Sequence, residues 1–198
     1  MLVTGSNLIN TPVLSVQTGN PVGFVSTPII DPDSLKIIAF QLSGPLVTND
    51  ASILDTASVR EYSSMGMVID GVDDLVGPED IVKISKILAL NFNLIGLKVE
   101  TKKGSKLGKV LDYTFTDNDF IVQQIIVKRP AIKAFIDPEL TISRKEIVEI
   151  TDYKVIVKDE EKVLKARAEK EDFIPNFVNP FREKQPGFAP TDYKESEE

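Results

Sequence analysis

An internal repeat constrains the fold of this chain more than any other feature of its sequence. Four pairs of segments correspond in order: residues 7–13 and 93–99, 19–25 and 104–110, 35–42 and 120–127, and 59–70 and 147–158. The first pair shares Asn-Leu-Ile and a valine, the second shares Gly-x-x-x-Gly, and the third follows an Asp-rich turn in both copies. The repeat spans about 65 residues with a spacing of about 86, and such a repeat sets the architecture before any motif does.

Each copy has the pattern of antiparallel strands. Its segments are short, rich in Val, Ile, Phe and Tyr, and separated by Gly, Asp, Asn or Pro turns. Residues 103–106 predict one such hairpin. About five or six strands leave free edges that invite aggregation, and curling into a small barrel removes them. The predicted fold class is therefore mainly all-β: two tandem small antiparallel β-barrels joined by a helix, with a C-terminal helix and a flexible tail.

Composition divides the chain into four parts. We predict a first barrel over residues 1–77, a connecting helix over residues 78–91 and a second barrel over residues 92–159. Residues 160–198 begin with a run rich in Glu, Lys and Ala and continue with four prolines, so a solvated helix and a Pro- and Phe-containing tail are predicted there.

The connecting helix is predicted from apolar residues at helical spacing. Pro78 and Glu79 precede them and suit a first helical turn. The apolar residues are Ile81, Ile84, Ile87 and Leu88. Inside the second copy, residues 129–138 interrupt the strands and predict a short helical turn that caps one barrel end.

Three segments of the second copy carry a family resemblance. Residues 93–99 contain Leu-Ile-Gly and then a valine, residues 106–112 contain Leu-Gly-Lys-Val before an aspartate, and residues 143–157 contain a closing pair of strands. In these segments the chain resembles the PRC-barrel family. That family includes the soluble domain of the photosynthetic reaction-centre H subunit and the C-terminal half of a ribosome-maturation factor. The resemblance implies protein binding rather than catalysis, and it carries over no catalytic residue.

The chain contains neither cysteine nor histidine. The absence of cysteine excludes disulfides and thiol nucleophiles, and the absence of histidine removes the usual general base and imidazole ligand. The formal net charge of -7 repels a phosphate backbone, so we expect no DNA binding. We expect no cofactor, no metal site and no catalytic residue. A carboxylate-dependent hydrolase is the enzyme alternative, although a small filled barrel leaves little room for a ligand.

The sequence also bears on location. Its N-terminal residues lack a basic segment followed by an apolar one, and no apolar run approaches the roughly 20 residues that span a bilayer. We therefore predict a cytoplasmic protein without an integral membrane segment.

A basic hairpin is the first candidate site. Lys102, Lys103, Lys106 and Lys109 follow Lys98 closely in the sequence and could contact a partner. The alternative is a solvated turn, because no adjacent aromatic residue offers a stacking platform for RNA. The glycines of this hairpin are one residue too close for a phosphate loop, and a valine replaces the magnesium-binding Ser or Thr, so they predict a turn.

Three aromatic residues in the tail are the second candidate site. Phe173, Phe177 and Phe181 lie among further apolar residues and prolines, which makes this segment too apolar for a purely solvating tail. They either dock on the protein's own barrels or form a short linear motif that a partner's groove binds.

Neither of two acidic patterns predicts a metal site. Residues 117–119 lack the glycine and the final glutamate of a calcium loop, so they predict a strand-connecting turn. A second acidic run predicts helix-entry charge and solubility. That run consists of Asp70, Asp73, Asp74, Glu79 and Asp80.

The function predicted from these features is a non-enzymatic protein-binding adaptor or scaffold that presents two barrels and a tail to a partner of unknown identity. The alternative is a small-subunit ribosome-maturation factor that binds a ribosomal protein, which the basic hairpin would assist electrostatically. The two hypotheses share the expectation of a protein partner and differ in its identity.

Overall fold

The structure is a computed structural model that describes residues 1–130 and 138–159. In these residues, fourteen strands form two seven-stranded sheets, and one α-helix, α1, spans Val82–Leu90. The first sheet contains β2 (Pro12–Ser15), β3 (Pro21–Asp31), β4 (Lys36–Ser43), β5 (Ile53–Asp55), β6 (Glu61–Ser63), β7 (Gly66–Ile69) and β8 (Leu75–Val76). The second contains β1 (Leu2–Thr4), β9 (Lys98–Thr101), β10 (Lys106–Thr116), β11 (Val122–Lys128), β12 (Glu139–Ser143), β13 (Ile147–Ile150) and β14 (Lys154–Val157). The predicted mainly β fold is confirmed, and one sheet curls into a half-barrel.

Both sheets have the same strand order. The first runs β6-β7-β2-β3-β4-β5-β8, and the second runs β13-β14-β9-β10-β11-β12, with β1 paired separately to β10. The long strands β3 and β10 are both 11 residues long. Each has a bulge at the corresponding place, between Val25 and Thr27 in β3 and between Val110 and Asp112 in β10. The sequence repeat is therefore reproduced in the hydrogen-bond pattern, because the same spacing of apolar and turn residues specifies the same register.

The two sheets meet at corresponding positions of the two copies. Lys36 and Ile121 form an isolated antiparallel bridge, and the Ile37 N–H beside it donates to the Phe120 carbonyl at 2.9 Å. The Phe120 ring also contacts the Phe40 ring edge-to-face, with centroids 5.5 Å apart. Buried residues from both copies belong to one hydrophobic cluster. An antiparallel bridge between equivalent residues is the contact that an approximate two-fold axis produces.

Each copy is covered by the segment that leads into the other one. Strand β1, at the start of the first copy, pairs with β10 of the second sheet in the register Leu2 to Thr116. Helix α1, which precedes the second copy, packs Ile84 and Ile87 on the first sheet. The residues of that sheet beneath the helix are Ile29, Ile38, Ala39 and Ile53. The helix thus buries an apolar sheet face in addition to connecting the copies.

Helix α1 lies within the predicted range 78–91 but begins later than expected. Pro78 and Glu79, predicted as its first turn, precede it in a separate turn in which the Gly77 N–H donates to the Asp80 carboxylate at 2.6 Å. The carboxylate of Asp80 is used by this turn and does not cap the helix. Asn91 ends the helix in the left-handed conformation, with φ of 49°.

Closure of each sheet into a barrel stays a prediction. In the described ranges, the hydrogen-bonded order of each sheet ends in two separate strands, β6 and β8 in the first sheet and β12 and β13 in the second. The hydrophobic core is shared between the two copies. Apolar residues of both sheets are therefore buried although the end strands of each sheet are not paired with each other. The predicted hairpin over residues 103–106 is present between β9 and β10, with Gly104 at φ of 83°.

Several predictions fall on residues outside the described ranges. These are most of the helical turn predicted at 129–138, the charged helix at the start of 160–198, and Phe173, Phe177 and Phe181 in the tail. Of the helices in the described part of the chain, none has the length and apolar character needed to cross a membrane.

Candidate functional site

Four lysines form a row across four neighbouring strands of the second sheet. Lys154 of β14 pairs with Lys98 of β9, Lys98 pairs with Lys109 of β10, and Lys109 pairs with Lys128 of β11. Residues that are directly paired in this way project from the same face of a sheet. Neighbouring strands lie about 4.8 Å apart, so this lysine row extends over about 14 Å.

A groove of about 450 Å³ lies along this row. We call it the basic groove. Its cationic lining residues are Lys98, Lys106, Lys109, Lys128 and Arg129. Val99, Gly108 and Pro130 complete the wall, and among the described residues Glu100 is the single acidic one that lines the groove. The Glu100 carboxylate forms a salt bridge at 3.5 Å with the ammonium group of Lys154, which does not line the groove. The charge of Glu100 is therefore already partly neutralised.

A glycine bulge brings these cations to one place. Gly108 has φ of 148°, and a Cβ atom at this position would lie only 2.0 Å from the Lys128 carbonyl oxygen. Glycine therefore permits a close approach of β10 to β11 that other residues prevent. The pairing with β9 shifts register between Lys106 and Gly108. The shift allows Lys106 and Lys109 to line the same groove, although an odd spacing places residues on opposite faces of a regular strand.

The row of like charges opposes folding. Like charges directly opposite each other across two strands destabilise a sheet, and the lysine row contains three such pairs in succession. The buried neighbours of these lysines, Val99, Val127 and Val155, face the core, so the alternation of the strands holds the lysine side chains toward solvent. The groove is therefore a concentrated positive surface on a chain of net charge -7.

The corresponding surface of the first copy carries no charge. Pro12 pairs with Phe24 and Phe24 pairs with Ser43, so these three residues take the places of Lys98, Lys109 and Lys128. Pro21 and Gly44 take the places of Lys106 and Arg129. We call this surface, formed by Pro12, Pro21, Phe24, Ser43 and Gly44, the apolar counterpart.

The structure brings part of the predicted basic site together. Lys106 and Lys109 line the groove, whereas Lys102 and Lys103 lie at the hairpin turn and are not among its lining residues. The Lys103 ammonium group lies 3.5 Å from the Asp159 carboxylate. Lys128 and Arg129 were not predicted from the sequence, because they lie on β11 and just after it and reach the groove only through strand pairing. The alignment of the two copies could have indicated these two residues, because it gives the strand order and therefore which strand ends lie next to each other.

The acidic residues hold turns: residues 117–119 form the predicted turn, whereas the second acidic run does not supply charge at the start of α1, whose first turn contains no acidic residue. The Asp74 carboxylate accepts the Asp70 N–H at 2.7 Å and the Gly71 N–H at 3.2 Å. The Asp119 carboxylate accepts the Ile121 N–H at 3.1 Å. Within residues 1–130 and 138–159, no group of three or more acidic side chains is arranged to hold a metal ion.

No protein-family model matches this sequence, and a search among curated proteins finds no match. The functional argument therefore rests on the basic groove and on its difference from the apolar counterpart.

Proposed function

We propose that this chain is a non-enzymatic protein-binding adaptor of the PRC-barrel type, with the basic groove as its main partner-binding surface. The observation that carries the proposal is the divergence of two corresponding surfaces. Five cations of the described residues line the groove in the second copy, and the same five positions are uncharged in the first. Backbone register alone does not require those cations, because the first copy folds with the same register without them.

The chemistry of the lining supports binding. Lysine and arginine side chains hold anionic groups through charge-assisted hydrogen bonds, and their flexible stems adapt to a partner surface. A proton-transfer site needs a base placed within reach of a proton donor. Glu100, the one carboxylate that lines the groove in residues 1–130 and 138–159, is instead paired with Lys154. A positive groove on a chain of net negative charge also orients an approaching partner before contact.

The tail provides the second contact of the proposed adaptor. Phe173, Phe177 and Phe181 form a short apolar motif that a partner's groove binds, in the manner of other linear recognition segments. An adaptor with two separate contacts gains affinity because the second contact forms within the complex.

The test is an affinity pull-down with the full chain from a lysate of the cells that make this protein, analysed by mass spectrometry. Three baits are compared: the natural chain, the groove variant K109Q/K128Q, and the tail variant F173S/F177S/F181S. We expect one dominant partner whose recovery falls with either variant. Recovery of small-subunit ribosomal proteins would instead favour the ribosome-maturation alternative. A natural chain that captures only what an unrelated acidic bait captures would contradict the adaptor function.

A further inference from the structure

We infer that the basic groove binds an acidic protein segment that carries both carboxylates and apolar side chains. The inference rests on the proposed function and names the chemistry of the partner. It follows from three properties of the groove: its excess of positive charge, its apolar wall and its length.

The first property is an excess of positive charge. Of the described residues that line the groove, Lys98, Lys106, Lys109, Lys128 and Arg129 are cationic, against one carboxylate, Glu100, which pairs with Lys106 and lies 3.5 Å from the Lys154 ammonium group. Glu139 pairs with Lys128 at the end of the row, so these two acids balance only part of the charge. Acidic side chains from a partner would relieve the repulsion along the lysine row, and this relief is available only in the complex. Complementarity of charge therefore selects a partner segment rich in Asp or Glu.

The second property is an apolar wall beneath the charges. Most of the surface exposed within the groove is apolar, and lysine side chains such as those that line it carry long aliphatic stems. A purely polyanionic ligand would leave this wall without a partner. Apolar side chains of the partner segment that point toward the sheet would cover it and gain the free energy of apolar burial.

The third property is the length of the row. The four paired lysines extend over about 14 Å, and alternate side chains of an extended peptide are about 7 Å apart on one face. About three carboxylates of such a peptide can therefore face the row at once, because successive residues point to opposite sides of a strand.

A single-stranded nucleic acid fits these observations less well. Nucleic-acid grooves of this kind combine positive charge with aromatic side chains on which bases stack. The lining residues of this groove include no aromatic side chain in the described part of the chain. The net charge of -7 also opposes a long phosphate backbone that extends beyond the groove.

The inference is tested by fluorescence anisotropy with the full chain. The ligand is a fluorescein-labelled peptide of about twelve alternating Glu and Val residues, long enough to cover the row in extended form. The first comparison peptide has Gln at every Glu position, and a second comparison ligand is oligouridylate of the same length. We expect the Glu peptide to bind at least about tenfold more tightly than the Gln peptide at low salt, and to weaken as salt screens the charges.

Two variants locate the binding. K109Q/K128Q removes the two central charges of the row, and we expect it to weaken the Glu peptide by about tenfold. The control K86Q/K145Q makes the same change in net charge on α1 and beside β13, away from the groove, and we expect its affinity to stay within about twofold of the natural chain. Circular dichroism of all three proteins checks that each is folded.

Three results would overturn the inference. These are equal binding of the Glu and Gln peptides, an unchanged affinity of folded K109Q/K128Q, and tighter binding of oligouridylate than of the Glu peptide through the same lysines. The pull-down separates this inference from the adaptor function. A partner captured equally by the natural chain and K109Q/K128Q would leave the adaptor function standing and overturn the acidic segment. Peptide binding without any captured partner would support the acidic segment and contradict the adaptor function.

Discussion

The basic groove and the apolar counterpart occupy the same place in two copies of one fold. Both are built on a three-strand pairing with a register shift near the first hairpin, between Lys106 and Gly108 in one copy and between Val13 and Leu14 in the other. The central buried residues also match, since Val13 and Val99 are both fully inaccessible. The two differ in the side chains that point outward and at one glycine, because Gly108 has φ of 148° and the equivalent Gly23 has no positive φ. Topology and register are thus determined by buried and glycine positions, and the outward face is free to acquire a separate function.

The largest effect on the free energy of unfolding is expected at a glycine where, in both copies, the backbones of two neighbouring strands approach closely. In G108A, the new Cβ would lie 2.0 Å from the Lys128 carbonyl oxygen at a φ of 148°, so we expect a loss of about 3 kcal/mol in the free energy of unfolding. G23A, with its nearest backbone contact 2.9 Å away at Ser43, should lose less. Urea denaturation measures both. The control G104A has a positive φ but nothing within 4 Å, and we expect about 1 kcal/mol there. Equal losses in G108A and G104A would contradict the steric argument.

The second prediction concerns a buried carboxylate that only the first copy has. Burial raises the pKa of Asp31, but hydrogen bonds from Ser34, Lys83 and the Asp33 amide outweigh burial and hold that pKa below its ordinary value of 3.8. Thr116 takes this position in the second copy. The ionised carboxylate therefore stabilises the fold above its unfolded pKa, and this stabilisation is lost as the pH falls through the lower pKa of the folded state.

The variant D31N separates this carboxylate from the other acids. At pH 7 we expect D31N to lose about 1 to 2 kcal/mol in the free energy of unfolding, because it removes charge-assisted hydrogen bonds. Between pH 5 and pH 2, D31N should then lose less stability than the natural chain. Chemical denaturation at several pH values gives the comparison. The exposed Asp33 provides the control D33N, whose pH profile should follow that of the natural chain, and a parallel profile for D31N would refute the assignment.

The third prediction transfers the groove chemistry to the first copy. In the background K109Q/K128Q, the substitutions F24K and S43K place two paired lysines on the apolar counterpart, where Phe24 and Ser43 are opposite each other. Because the backbone register is the same, we expect these lysines to raise the affinity for the Glu peptide about fivefold above that of K109Q/K128Q. This increase corresponds to about 1 kcal/mol. Fluorescence anisotropy measures the recovery. A pair F24Q/S43Q, which changes the same positions without charge, should restore nothing, and recovery with that pair would show that charge is not the cause.

The repeat was enough to predict the strands, their turns and the hairpin at residues 103–106, because spacing and turn residues are local properties of the sequence. It could not predict how the two copies pack. The bridge between Lys36 and Ile121 joins positions that periodicity only identifies as equivalent, and the pairing of β1 with β10 crosses from one copy to the other. The lysine row was found only in part for the same reason. Lys128 and Lys154 reach it through β11 and β14, which are distant from the hairpin in sequence.

The smallest expected effect distinguishes a binding surface from a structural one. If the lysine row serves binding, its charges oppose folding. K109Q/K128Q removes two like-charge pairs, Lys98 with Lys109 and Lys109 with Lys128, and one opposite-charge pair, Lys128 with Glu139, so it should be more stable than the natural chain by about 0.5 kcal/mol at low salt. The apolar counterpart, which has no such repulsion, predicts no gain for substitutions of its outward residues. Urea denaturation at low salt and at about 1 M salt measures the difference, and the gain should disappear at high salt because screening removes the repulsion. K86Q/K145Q is the control, since neither lysine lies in the row. A loss of stability in K109Q/K128Q would mean that these lysines support the sheet, and the difference between the two surfaces would then have a structural cause.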